Sequence, residues 1–274
     1  MVDSHVHFWN YHPVKDAWIT DEMQVIRRDF TPEMLSTILR DNGISGCVAV
    51  QSDQSETETD FLVAYAERFP FIMGVVGWID LRAGHLEERL GHYSQQHIIK
   101  GWRHIIQAEP AGFLLGDEFK KGIKLVGDHG YTYDILIHQG QLREAVEFAA
   151  CFPNQKFVLD HLAKPDIRQG RDKEEWRNNL RTMASLGNVY CKLSGMVTEA
   201  DWHGWQPDQL TEYIDTVFEC FGSDKIMYGS DWPVCILAAD YSQVKNIVIN
   251  YISRLSPEEQ KAVMGVNATT FYNL

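Results

Sequence analysis

Two histidines one residue apart, His5 and His7, stand in the opening stretch Met1-Val2-Asp3-Ser4-His5-Val6-His7-Phe8-Trp9-Asn10. On a β-strand from Val2, the side-chain period of two turns both imidazoles to one face and Val6 to the other. Two neutral imidazoles converging from one strand make half of a divalent-metal site, or two polar hands for a substrate. They lie too close for both to be protonated cheaply. Alone, H-x-H is a weak signal that fits ordinary surface or core histidines as well. Support comes from Ile226-Met227-Tyr228-Gly229-Ser230-Asp231-Trp232-Pro233, another short apolar run that ends in an acid.

Other ionisable residues stand where apolar runs end: Arg103 and His104, His138, His161, and Lys192 with Ser194. His161, in Leu159-Asp160-His161-Leu162-Ala163-Lys164-Pro165, marks the point where a strand gives way to a loop. Arg103 and His104 alternate faces, so one of them points inward, and we assign that direction to Arg103. Each residue also has a plain structural reading. His138 follows Ile135-Leu136-Ile137 and suits a satisfied core histidine, and Lys192 suits a carboxylate partner inside a barrel. Trp9, Trp18, Trp78, Trp202 and Trp232 suit core filling as well as stacking on a ring.

The elements that would position this set alternate along the chain. After a first strand and an aromatic-rich loop over 9–30, Thr31-Pro32-Glu33 opens a helix that Gly43 stops. Strands are expected over 46–51, 71–79, 98–106, 133–138, 157–161, 189–194 and 226–231. Helices are expected over 57–69, 86–93, 119–129, 142–151, 174–186 and 210–221, with a closing pair over 241–254 and from Pro257, the latter with a Ser256/Glu259 capping box. Eight apolar strands alternating with helices predict a single-domain (β/α)8 TIM barrel over 1–274, with its chemistry at the C-terminal strand ends. An open doubly wound sheet gives the same alternation, but no G-x-G-x-x-G or P-loop follows any strand.

The 274 residues are 45% hydrophobic and 23% charged, with a net charge of −13 and no basic run, so nucleic acid is not an expected partner. No apolar run approaches the roughly 18 residues that span a membrane, and no signal-peptide pattern precedes the first strand, so a cytoplasmic protein is expected. A homo-oligomer is compatible with everything in the chain. Five widely spaced cysteines suggest buried thiols, with no disulfide framework or C-x-x-C motif.

H-V-H at 5–7, L-D-H-L-A-K-P at 159–165, K-L-S-G at 192–195 and Y-G-S-D-W-P at 228–233 together resemble the amidohydrolase superfamily. More narrowly, they resemble its amidohydrolase-related branch, which contains sugar lactonases and pyrone-dicarboxylate lactonases. The resemblance implies a distorted (β/α)8 barrel and one divalent cation, expected to be Zn²⁺, on His5, His7 and Asp231. It also implies Asp231 as the general base toward water and His161 beside the centre. No lysine ends strand four, where Trp102-Arg103-His104 stands, so two metals are not expected; His138 on strand five could restore a third imidazole. The expected reaction is hydrolysis of a sugar-acid lactone, with Asp231, His161 and Arg103 catalytic and Trp9, Lys192, His138 and Trp232 holding the substrate. The rivals are a metal-dependent decarboxylase of the same superfamily, a dicarboxylate lactonase, and a barrel that binds a small ligand without turnover.

Overall fold

Short apolar and β-branched runs form eight parallel strands in a computed structural model that describes residues 1–274. They are β1 Val2–Val6, β2 Gly46–Val50, β3 Ile72–Gly77, β4 Ile99–His104, β5 Thr132–Ile135, β6 Phe157–Leu159, β7 Val189–Leu193 and β8 Ile226–Tyr228. Each pairs with its sequence neighbour, in the order β1 through β8. Between β8 and β1 there is no full ladder. The ring is closed at the top by a parallel bridge of Val6 with Trp232, in which His7 N donates to Trp232 O at 2.7 Å and Asp231 N donates to His5 O at 2.9 Å. Deeper in this seam, Asp3 accepts from His5 N, Ser230 N and the Tyr241 hydroxyl, all within 3.1 Å. The weakest seam of the barrel is thus tied through the residues that carry the candidate chemistry.

Helices alternate with the strands: α1 Pro32–Asp41, α2 Glu56–Arg68, α3 Leu86–Tyr93, α4 Asp117–Asp128, α5 Leu142–Ala150, α6 Lys173–Ser185, a short α7 Met196–Glu199, α8 Pro207–Phe221 and α9 Tyr241–Ile252. Pro32 opens α1 as expected, although the Thr31 side chain makes no capping bond. The Ser256/Glu259 capping box opens α10 Pro257–Lys261. The closing helix then breaks at a π turn and resumes as α11 Asn267–Tyr272. Phe271 and Tyr272 of α11 pack with the inward Val48, Val50, Val76, Val158 and Met227 and plug the N-terminal end of the barrel. Apolar area removed from water at the helix–sheet interface and at this plug is the main stabilising term.

Strands β2 to β8 all end sooner than the apolar runs suggest, most of all β5 at Ile135 and β8 at Tyr228, with β6 ending at Leu159. At β6 and β8 the reason is conformational. His161, Leu162, Ala163 and Lys164 all have positive φ, between +47° and +62°, and Asp231 has φ +59°. Left-handed backbone at side-chain-bearing residues is costly and persists only where the surrounding structure imposes it. The loop after β1 is clipped at its base by two backbone bonds between Trp9 and Phe30 and contains a 3-10 turn, Asp21–Ile26. No helix is long and apolar enough to cross a membrane. All five cysteines are free, but only Cys47, Cys191 and Cys235 are the buried thiols expected; Cys151 is exposed and Cys220 half-buried.

Candidate active site

β1 delivers His5 and His7 to the top of the barrel on one face, with their Nε2 atoms 3.1 Å apart. Asp231 Oδ1 lies 3.3 Å from His7 Nε2 and 3.8 Å from His5 Nε2, and His161 Nε2 lies 3.9 Å from the same oxygen. Four residues from β1 and from the ends of β6 and β8 therefore meet at one point. Their second atoms are held by the protein. His7 Nδ1 donates to Val50 O at 2.7 Å, which leaves Nε2 with its lone pair toward the centre. His161 Nδ1 shares a 2.8 Å bond with Ser194 Oγ.

Two glycines make this convergence possible. A Cβ on Gly229 would come within 2.8 Å of His5 Cβ, and one on Gly195 within 2.7 Å of His161 Nδ1. Gly195 also has φ +66°, so a side chain there is strained as well as crowded. Gly195→Ala is expected to push the His161 ring aside and lower kcat/KM at least about tenfold, since sub-ångström misplacement of a reacting group is costly. A rate within twofold of wild type would show that His161 does not need its position.

Beneath His5 lies a buried ion network. Lys192 Nζ meets Asp134 Oδ2 at 2.5 Å, Asp160 Oδ1 at 2.9 Å and His5 Nδ1 at 3.0 Å, and all four side chains are fully buried. Arg103 donates from Nη1 to Asp160 Oδ2 at 3.0 Å and from Nη2 to Gln51 O, with Nη1 also 3.3 Å from His5 Nε2. Tyr272 donates to Asp134 at 2.7 Å. Two cations thus match two carboxylates, as burial demands. Burial pushes the Asp134 carboxyl up, to about 6, and Asp160 beside it adds to the rise. Burial also acts upward on Asp160, but Lys192, His5 and Arg103 outweigh it and hold that group well below the usual carboxylate range.

A cavity of about 300 Å³ opens above this centre, with Asp231, His7, His161 and Arg103 on its floor. Arg103 points inward as expected. His104 faces outward, stacked on Phe113 and bonded to Trp78 and Glu109. Trp9 and Trp18 of the first loop line the cavity, with Trp9 Nε1 anchored on Arg28 O. Three expected substrate contacts fall elsewhere. Lys192 is sealed in the ion network one layer below. Trp232 is turned into the core against Phe8 and Phe30. His138 lies beyond the early end of β5, exposed and outside the cavity lining, so it supplies no third imidazole. Trp78 and Trp202 are also absent from the lining. His161 fills the place of the third imidazole: His5, His161 and Asp231 have ligand atoms within 4.8 Å of one another. The lining adds residues with no prior assignment, among them Ser52, Gln54, Gln107 and Lys164. Lys164 stands within the quoted L-D-H-L-A-K-P stretch, but the left-handed turn that aims it has no glycine to announce it.

Burial pushes the His161 imidazole down to about 4, against the pull of Asp231 and Asp160. His5 is lowered further by burial and by Lys192. Burial acts upward on Asp231, but His161, the bond to His7 and the field of His5 hold it well below the usual range. The resting site at neutral pH is therefore an ionised carboxylate beside neutral imidazoles at His5 and His161. An unfolded chain binds a proton on His161 below about pH 6.5, whereas the folded one resists until about 4. Stability should then fall as pH drops through this window, by about 3 kcal/mol from His161 alone. Chemical denaturation of the chelator-treated protein at pH 7.5 and 4.5 measures the loss; equal stabilities would contradict a neutral, buried His161.

The donor set fits a divalent cation. Ligand atoms around one tetrahedral ion with bonds near 2.1 Å are about 3.4 Å apart; the pairs His5–His7, His7–Asp231, His5–Asp231 and His161–Asp231 lie 3.1 to 3.9 Å apart, and His5, His161 and Asp231 all lie within 4.8 Å of one another. The mix of imidazole nitrogen and carboxylate oxygen suits Zn²⁺.

The amidohydrolase family model matches residues 2–274. An L-fucono-1,5-lactonase of Burkholderia multivorans is 37% identical over 284 residues, spanning 100% of this chain and 96% of that protein. An L-fucono-1,5-lactonase of Burkholderia ambifaria is 32% identical and spans 100% of this chain and 95% of its own length. A crystal structure of a Burkholderia multivorans amidohydrolase with bound zinc matches at a TM-score of 0.96 and 36% identity, covering 100% of this chain and 99% of that one. With the barrel closed through its site residues and this agreement along its whole length, the chain belongs to the amidohydrolase family.

Proposed function

We propose that this hydrolase is a sugar lactonase, which opens the ring of an aldonolactone of the fucono or rhamnono type by attack of water. The observation that carries the reading is the ionised Asp231 at the meeting point of His5, His7 and His161, on the floor of a cavity large enough for one small ring. Two full-length relatives named L-fucono-1,5-lactonase support the substrate class. The cavity's charge balance supports a neutral substrate over a dicarboxylate. Arg103 is paired with Asp160 and Lys164 has Glu199 Oε1 at 3.8 Å, so the lining holds no two uncompensated cations to match the two carboxylates of such a substrate.

In this mechanism Asp231 orients a water against the lactone carbonyl and takes its proton as the new C–O bond forms. A carboxylate held so low is a weak base toward ordinary water. A divalent cation on His5, His161, Asp231 and the adjacent His7 would supply the missing term by lowering the water's pKa and polarising the carbonyl. Arg103, among the residues that line the cavity, contributes its positive field to the tetrahedral oxyanion. Collapse then breaks the bond between the carbonyl carbon and the ring oxygen. The proton on Asp231 passes to the departing alkoxide, directly or through the neutral His161 imidazole 3.9 Å away. The product is an aldonate, and one proton is released at neutral pH.

A pH-indicator assay over five- and six-membered aldonolactones, with Zn²⁺ supplied, tests the proposal. Hydrolysis confined to one stereochemical series is the expected result. Silence over the whole panel would remove it.

A further inference from the structure

Resting on the lactonase reading, the cavity wall points to how the ring is recognised. Most of the charged and amide side chains that line it are already held by the protein: Arg103 by Asp160, Gln54 by the Ile105 amide, Lys164 near Glu199, His7 by Val50 O and His161 by Ser194. Gln107 is different. Its backbone N–H donates to Leu136 O at 3.1 Å and fastens the loop after β4 to the loop after β5. Its side-chain amide makes no hydrogen bond at either end, and Oε1 is buried without a partner. Around it the wall is aliphatic, formed by Ile105, Ala108 and Leu136.

An unpartnered amide among aliphatic carbons is costly in an empty site and useful in a filled one. A ring hydroxyl is donor and acceptor together, so it can satisfy either end of the amide, and the carbons beside it can rest on the aliphatic wall. A flat aromatic acid offers no such hydroxyl at sp³ carbon. We propose that Gln107 is a specificity-determining residue, whose side-chain amide binds one hydroxyl of the lactone ring against the wall of Ile105, Ala108 and Leu136. Selection then works as it does wherever a site is built to bond a hydroxyl: the analogue lacking it leaves the protein group unpaired and is rejected.

The test pairs the best aldonolactone substrate with its single-deoxy analogues, on wild type, Gln107→Met and Gln107→Glu. Wild type is expected to prefer the parent over one analogue by tenfold or more in kcat/KM. Gln107→Met, of similar length but without a hydrogen bond, should lose that factor on the parent, mostly in KM, and lose nothing further on the analogue missing the same hydroxyl. Gln107→Glu, which keeps an acceptor but no donor, should keep the preference if the hydroxyl donates to Oε1 and lose it if Nε2 donates to the hydroxyl, while thermal melts of both variants control for misfolding. An equal loss on the parent and every analogue, or no loss on the parent, overturns the assignment while the lactonase reading stands. A wild-type protein inactive on every aldonolactone removes both.

Discussion

Asp231→Asn is expected to lower kcat on the proposed aldonolactone substrate by about 10³-fold or more, with a much smaller change in KM. The amide keeps the volume and one acceptor of the carboxylate, but it cannot take a proton from water. It also removes the negative charge that faces three imidazole Nε2 atoms between 3.3 and 3.9 Å away. General acid–base catalysis contributes roughly 10²- to 10⁴-fold, and the same substitution removes one donor of the proposed cation site, so the two losses would compound. Metal content by elemental analysis, measured beside the rate, separates them. A variant with the metal content of wild type that still loses the rate isolates the proton transfer. A variant within tenfold of wild type would mean that another group activates the water.

Lys192→Met has the second large effect, and it is one of stability as well as rate. Methionine fills the space but leaves Asp134 and Asp160 facing each other across a site with no exposure, and breaking a buried pair from one side costs about 3–5 kcal/mol. For a chain of this size that is a fall of roughly 10 °C in Tm. The loss depends on pH. Asp134 is already raised to about 6 by burial, so its protonated form is favoured in the folded state, and losing Lys192 raises it further. A group raised on folding contributes stability that is present at low pH and fades as pH rises through its folded value. The variant should therefore be penalised less at pH 5 than at pH 8. His5 also loses the Nδ1 partner at 3.0 Å that orients its ring, so residual activity should be low even where the variant is folded. A penalty under about 1 kcal/mol at pH 8 would contradict the network.

Periodicity made much of this legible. The spacing of His5 and His7 placed both on one face, alternation turned Arg103 inward, and apolar runs located all eight strands. Depth along the barrel axis is a different matter. Lys192 and Ser194 share a face of the strand-end segment, yet Ser194 reaches the His161 ring while Lys192 lies a layer lower. Only its partners, the acids Asp134 in Tyr133-Asp134-Ile135 and Asp160 in Leu159-Asp160-His161, could have signalled this. Acids inside apolar runs imply a buried cation, and that was the signal available. Trp232 follows a catalytic candidate but is turned into the core by the left-handed Asp231. His138 was displaced because β5 ends three residues sooner than its apolar run. The four-residue left-handed turn from His161 to Lys164 carries no glycine or asparagine, so local preference gave no hint of it.

The most direct measurement places wild type and Asp231→Asn beside each other on three substrates: L-fucono-1,5-lactone, a pyrone dicarboxylate and an aromatic carboxylic acid, recording proton release and CO₂. Proton release from the sugar lactone by wild type only, with no CO₂ from the aromatic acid, is the predicted result. Release of CO₂, or opening of the pyrone dicarboxylate in preference to the sugar lactone, would contradict it.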